Sequence, residues 1–264
     1  ANDVVIAVDG EDQTGVPGDL VLQKILGPAG EPVTLTIRRG DETLEFTIVR
    51  AKISVPVVDY QMLENDIAYI ALTTFNDQAT EQLREALDEL MAQNPKGLIL
   101  DLRNNGGGYL STAIEVASEF IPEGVIMYEE YGDGTREVYN AKRGGRATEI
   151  PLVVLVNEGT ASASEIVAGA IQDHGRGKLV GTQTYGKGSV QNWIPLSSED
   201  SGVRITIARW LTPNGKQINN VGLTPDVVVE MSDNYVQTPS DTDIESIEWH
   251  DTQLEAAIQL LLEQ

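Results

Sequence analysis

Two kinds of hydrophobic spacing divide this chain. In the first fifty residues the apolar runs are short and mostly two-periodic. Val4-Val5-Ile6-Ala7-Val8 is rich in β-branched residues and stops at Asp9-Gly10. Residues 20–26 have a short helical spacing closed by Gly27-Pro28, and residues 32–38 and 44–50 alternate around Arg39-Gly40-Asp41, which predicts a hairpin. A piece of about fifty residues is marginal as an independent fold. From about residue 53 the pattern changes to apolar strands alternating with amphipathic helices. Strands are predicted at 67–72, 97–102, 152–156, 178–181, 203–211 and 227–230, and helices at 80–93, 110–120, 165–172 and 252–262. The helix at 80–93 carries Leu83, Leu87, Leu90 and Met91 on one face and is stopped by Asn94-Pro95. Residues 232–251 are acidic and poor in apolar side chains, a surface excursion. Continuous apolar strands between helices predict an α/β fold with a mostly parallel sheet covered on both faces. The expected division is residues 1–52 and 53–264.

Composition narrows the chemistry. Of 264 residues, 41 are acidic and 18 basic, a formal charge of −23. Such a surface repels phosphate backbones, so no nucleic-acid partner is expected. There is no cysteine and there are two histidines, His174 and His250. Thiol catalysis, disulfides and cysteine-ligated zinc are thereby excluded, and neither a metal nor a cofactor is expected. No apolar run approaches the eighteen or so residues that would span a bilayer.

Two strand-to-helix turns stand out. Asn157-Glu158-Gly159-Thr160-Ala161-Ser162-Ala163-Ser164-Glu165 puts small residues at the carboxyl end of a strand and the start of a helix. Open α/β sheets place ligands there, and the helix N-terminus favours developing negative charge. On the residues alone Ser162 is a candidate nucleophile, but Ser162-Ala163-Ser164-Glu165 also fits a capping box, and Ser164 could serve as the cap instead. His174 is a poor base for Ser162, because the intervening helix holds it roughly 13 Å away. It reads better as a helix C-terminal residue before Gly175. Lys187, in Gly186-Lys187-Gly188, follows the next short strand and is either a base or a solvated loop lysine. A lysine acting as a base must be neutral at working pH, which burial in an apolar site can bring about. The second turn, Asn104-Asn105-Gly106-Gly107-Gly108, exposes backbone N–H groups suited to an oxyanion hole, or is simply a flexible turn.

Taken together, five stretches resemble the carboxyl-terminal processing peptidases, or tail-specific proteases, of serine peptidase family S41. They are residues 100–108, 160–166, 172–176, 185–191 and 211–215, in the family's order and spacing; Gly222-Leu223-Thr224-Pro225-Asp226 agrees as well. The resemblance implies Ser162 as nucleophile, Lys187 as general base and Gln191 as the residue orienting the lysine. It implies Asp173 as a supporting acid, and backbone N–H groups of Ala163 and of Gly106 or Gly107 as the oxyanion hole. Thr160 stands where serine is frequent, and its hydroxyl is expected to be dispensable. The implied core is the spiral α/β architecture of crotonases and ClpP-type proteases. Residues 1–52 resemble the latter part of a PDZ domain, whose carboxylate-binding loop is expected upstream of residue 1, together with any signal or membrane anchor. The implied activity is endoproteolysis of polypeptides with accessible C-termini in the bacterial cell envelope, with homo-oligomerisation left open. A crotonase-type acyl-CoA hydrolase or isomerase and a non-catalytic peptide-binding scaffold are the alternatives.

Overall fold

The computed structural model describes residues 3–52, 55–196, 201–231 and 251–263. The chain divides into two compact units, Ala1–Val55 and Pro56–Gln264. In the first, strands β1 (Val4–Val8), β2 (Glu11–Asp12), β3 (Pro32–Arg39) and β4 (Glu42–Val49) form an antiparallel sheet in the order β2-β1-β3-β4, with helix α1 (Gly18–Ile25) between β2 and β3. The hairpin turns at Gly40, where the alternating pattern breaks. None of the α1 residues is buried.

The second unit is built on a six-stranded sheet. Its strands are β5 (Val58–Leu63), β6 (Ile67–Leu72), β7 (Gly97–Asp101), β10 (Leu152–Val156), β11 (Lys178–Gly181) and β14 (Val227–Val228), in the order β14-β11-β10-β7-β6-β5. Every neighbouring pair is parallel except β5 with β6. Side-chain alternation explains why β7 and β10 read as unbroken apolar runs. Leu98, Leu100, Leu152, Val154 and Val156 face a large core with helices α2 (Ala79–Met91), α3 (Leu110–Phe120) and α4 (Ala163–Asp173). Ile99, Val153 and Leu155 face the opposite side, closed by Ala257 and Leu261 of helix α5 (Thr252–Leu262).

A second sheet departs from the expectation of one mostly parallel sheet. Strands β8 (Val125–Tyr131), β9 (Arg136–Asn140), β12 (Ser189–Pro195) and β13 (Gly202–Leu211) pair antiparallel in the order β12-β13-β8-β9. Only β13 was legible as a strand, because the others mix charged and polar residues with few buried positions. The acidic excursion expected at 232–251 lies outside the described residues except for Asp251.

Helix α5 is fastened by an ion-pair cluster. The Arg103 guanidinium donates to Asp101 Oδ2 at 2.6 Å and, as a two-pronged pair, to Asp251 Oδ1 and Oδ2 at 2.9 and 2.8 Å. Tyr69 donates its hydroxyl to Asp101 Oδ2 at 2.8 Å, and Asp251 in turn caps α5 by accepting the Leu254 N–H. Burial works against the Asp251 charge, but the Arg103 hydrogen bonds and the backbone N–H groups of α5 hold its carboxyl below the usual range. A carboxyl depressed in the folded state stabilises above its unfolded pKa, about 4, and loses that contribution as pH falls further. Arg103→Met should therefore cost about 3–5 kcal/mol at neutral pH by leaving Asp101 and Asp251 unpaired. Urea titrations of both proteins should show the gap closing below about pH 4 as Asp251 protonates.

Candidate active site

Strands β7, β10 and β11 lie side by side and parallel, so the segments that leave their carboxyl ends meet at one edge. These are the turn 102–109, the turn 157–162 and the loop 182–188. The sheet thereby brings Gly106, Ser162 and Lys187 into one neighbourhood, although they are far apart in sequence.

Ser162 occupies a tight, strained turn. Its backbone has φ 57° and ψ −116°, and the Ser164 N–H donates to the Ala161 carbonyl at 3.2 Å. This is a type II′ turn with serine at the position glycine usually fills. Such a conformation costs about 1–3 kcal/mol and persists only where the surroundings enforce it. They do so here. The Ala161 N–H donates to the Asn105 carbonyl at 3.0 Å, and the Ser164 hydroxyl donates to the same oxygen at 2.8 Å. Ser164 is thus committed to the neighbouring turn. Ser162 and Glu165 form the capping box, in which the Ser162 N–H donates to Glu165 Oε2 at 2.8 Å. The Thr160 hydroxyl, expected to be dispensable, donates to the Leu102 carbonyl at 2.8 Å and accepts from the Asn157 N–H, so it is a working bond between the two turns.

Glu165 does more than cap its helix. Its carboxylate is fully buried and accepts four hydrogen bonds. Oε1 takes the Thr184 hydroxyl at 2.6 Å and the Gly186 N–H at 2.7 Å, while Oε2 takes the Ser162 N–H and, at 2.9 Å, the Lys187 N–H. One oxygen atom therefore holds the main chains of both Ser162 and Lys187. Their nitrogens lie no farther apart than those two bonds placed end to end. The Lys187 carbonyl is held from the other side by the indole N–H of buried Trp210 on β13, at 2.9 Å.

The glycine-rich turn closes against the serine. A side chain on Gly107, whose φ is 98°, would meet the Ala161 carbonyl at 2.7 Å and the Ala163 nitrogen at 2.8 Å, so only glycine fits. The Gly107 N–H is engaged with Asn105 Oδ1 at 2.9 Å. Among the described residues, the Gly106 and Ala163 N–H groups make no hydrogen bond.

The remaining expected residues lie elsewhere. Gln191 is on β12, exposed, with no side-chain hydrogen bond among the described residues. Asp173 sits at the far end of α4 from Ser162, where it accepts the Asn214 N–H at 2.9 Å and Lys216 Nζ at 3.1 Å. Burial opposes its charge, but hydrogen bonds from Thr212, Asn214 and Lys216 hold its carboxyl below the usual range. Its contacts fix the 212–216 turn rather than the serine. His174 ends α4 and its Nε2 lies 2.7 Å from the Val125 carbonyl, in keeping with the terminal place read from sequence. Glu165, Asn105, Thr184 and Trp210 were missed. Only Glu165 carried a signal, as the third residue of a capping box, and that signal pointed no farther than the helix.

Residues 66–229 match the family model for peptidase family S41. The carboxy-terminal-processing protease of Bartonella bacilliformis is 42% identical over 238 residues, which cover 87% of this chain and 54% of that protein. The carboxy-terminal processing protease CtpA of Bacillus subtilis is 38% identical over 239 residues, covering 90% of this chain and 51% of the relative. The chain thus spans about half the length of these curated relatives. Among solved structures, a photosystem II D1 C-terminal processing protease superposes with a TM-score of 0.62 at 34% identity, covering 87% of this chain and 64% of that one.

Glu165→Gln keeps the side chain's size but replaces one acceptor oxygen with an amide nitrogen. Two of the four donors then lose their acceptor, so the variant should lose at least about 2 kcal/mol of stability, measured by urea unfolding.

Proposed function

The chain belongs to peptidase family S41, and from that premise we propose that it is a serine endopeptidase acting near the C-termini of polypeptides. Ser162 is the nucleophile and Lys187 the general base. The observation that carries this reading is the shared Glu165 oxygen, which ties the backbones of these two residues together at the carboxyl edge of the sheet. The tie acts on the two backbones; among the described residues no hydrogen bond joins the Ser162 hydroxyl to the Lys187 amine.

In this mechanism the substrate carbonyl lies over the Ser162 turn. Lys187 Nζ accepts the serine proton as Oγ attacks the carbonyl carbon. The oxyanion that forms is met by the N–H groups of Ala163, at the N-terminus of α4, and of Gly106. Among the described residues neither of these N–H groups makes a hydrogen bond, whereas the Gly107 N–H is already engaged. The lysine passes the proton to the leaving amine, and water then hydrolyses the acyl-enzyme by the same steps. Gln191 orients the lysine amine once substrate is in place, and Asp173 contributes by fixing the turn that follows β13.

The six-stranded sheet with its turns fits the spiral core shared by crotonases and ClpP-type proteases. The first unit, with its helix and antiparallel strands, fits the latter part of a PDZ domain that presents substrate. No described helix is long and apolar enough to cross a membrane. The assigned compartment is the cell envelope, with polypeptides bearing accessible C-termini as substrates and no cofactor in the reaction. A crotonase-type reading would leave Lys187 without a role, and a scaffold would have no use for a strained serine.

Ser162→Ala and Lys187→Ala should each lower cleavage of an unfolded protein with an apolar C-terminus by at least about a thousand-fold. Labelling of Ser162 by a fluorophosphonate should be abolished in the first variant and slowed in the second. Full cleavage by either variant would overturn the assignment.

A further inference from the structure

Strand β12 forms one edge of the antiparallel sheet and begins two residues after Lys187. Its backbone orientation follows from the bonds at its two ends. The Trp210 N–H donates to the Gly188 carbonyl at 3.0 Å, and the Leu196 N–H donates to the Ser201 carbonyl at 2.9 Å. Even-numbered residues therefore turn their backbone groups toward β13, and Ser189, Gln191 and Trp193 turn theirs outward. The irregularity in this pairing falls on β13, where Ile207 is passed over between Thr206 and Ala208, so alternation along β12 is unbroken. Pro195, with no N–H to offer, closes the row in an outward-facing position where an edge strand tolerates proline. Among the described residues, the outward N–H groups of Ser189, Gln191 and Trp193 have no partner.

Large apolar side chains lie open around this edge, interspersed with polar ones and with Arg204 and Arg209. Ile194, Val203 and Ile205 share one face and are each more than 40% exposed; Trp193, 57% exposed, lies on the other. The indole of Trp193 extends across Gly202, where any Cβ would lie 2.2 Å from the ring. In a chain of charge −23, β12 and β13 contain no Asp or Glu. Proteins ordinarily blunt such an edge with charge, and among the described residues this one is uncovered beside the Lys187 loop.

We propose that β12 is the substrate track: an extended, apolar stretch of the polypeptide to be cut adds to its open edge as a fifth strand. This inference rests on the peptidase reading and deepens it. The choice of substrate over a second copy of the chain rests on continuity with the Lys187 loop. A chain paired to Ser189 and Gln191 is already extended as it reaches the base. The track from Ser189 to Pro195 is about 23 Å long, enough for roughly seven substrate residues. Selectivity then comes from the faces, with apolar side chains packing on Ile194 and Ile205 on one side and on Trp193 on the other.

The test is a set of ten-residue peptides rich in Val, Leu and Ala with a free C-terminus, each carrying one backbone N-methyl group at a different position. Their binding to the Ser162→Ala chain is measured by fluorescence anisotropy, and their cleavage is measured with the unaltered chain. On the track, N-methylation at every second residue should weaken binding by about tenfold or more, with the intervening positions nearly silent, as expected for strand addition. Ile194→Asp should raise KM several-fold with little change in kcat. A flat N-methyl profile, or no binding of the parent peptide, would overturn the track. A peptide that binds with the two-residue alternation yet is never cut would preserve the track and defeat the peptidase reading instead. Self-association of the unaltered chain that Ile194→Asp abolishes, with KM unchanged, would assign the face to a second copy and overturn the proposal.

Discussion

A single buried carboxylate organises this molecule's chemistry. Glu165 lies where the first turn of α4 passes beneath the loop that follows β11, and its two oxygens accept from four donors on two separate segments. An ionised carboxylate fully removed from water is costly unless every lone pair is used. The cost of misplacing either segment is therefore high, and the Ser162 turn and the Lys187 loop are fixed relative to each other by necessity. The same bonds hold Ser162 in a backbone conformation that a serine would not adopt unaided.

The clamp also couples the two sheets of the second unit. Lys187 is gripped on its N–H side by a helix of the six-stranded sheet and on its carbonyl side by Trp210 from the antiparallel sheet. Neither grip involves the amine. The Lys187 backbone is therefore held by bonds that do not use its side chain. Gln191 is exposed and, among the described residues, without a side-chain hydrogen bond.

Much of the six-stranded sheet was legible because two-sided burial writes itself as unbroken apolar strands, as in β7 and β10. The candidate nucleophile and base were legible only as members of an ordered set, since each alone has a plain structural explanation. What sequence left dark shares one cause, which is dependence on partners distant in the chain. Strand β12, Ser-Val-Gln-Asn-Trp-Ile-Pro, has a weak pattern of its own and is a strand because β13 pairs with it. Strands β8 and β9 are similar, with glutamates and tyrosines meeting across the pair. Glu165 reads locally as a cap, and its larger role appears only once Thr184 and Gly186 are folded onto it. The Thr160 hydroxyl looked idle for the same reason, its acceptor being 58 residues away at Leu102.

The fastening of α5 has a bearing on time as well as on stability. Arg103 and Asp251 are 148 residues apart, and the cover that Ala257 and Leu261 give to the apolar face formed by Ile99, Val153 and Leu155 is missing until residues 252–262 have been made. At roughly 5–20 residues per second, the segment bearing Ser162 and Lys187 leaves the ribosome seconds ahead of the helix that seals the sheet beneath it. Pairings of such long sequence separation also form slowly. The order of residues along the chain thus works as a delay: the serine and lysine are synthesised early, and the platform that holds them in register is finished late.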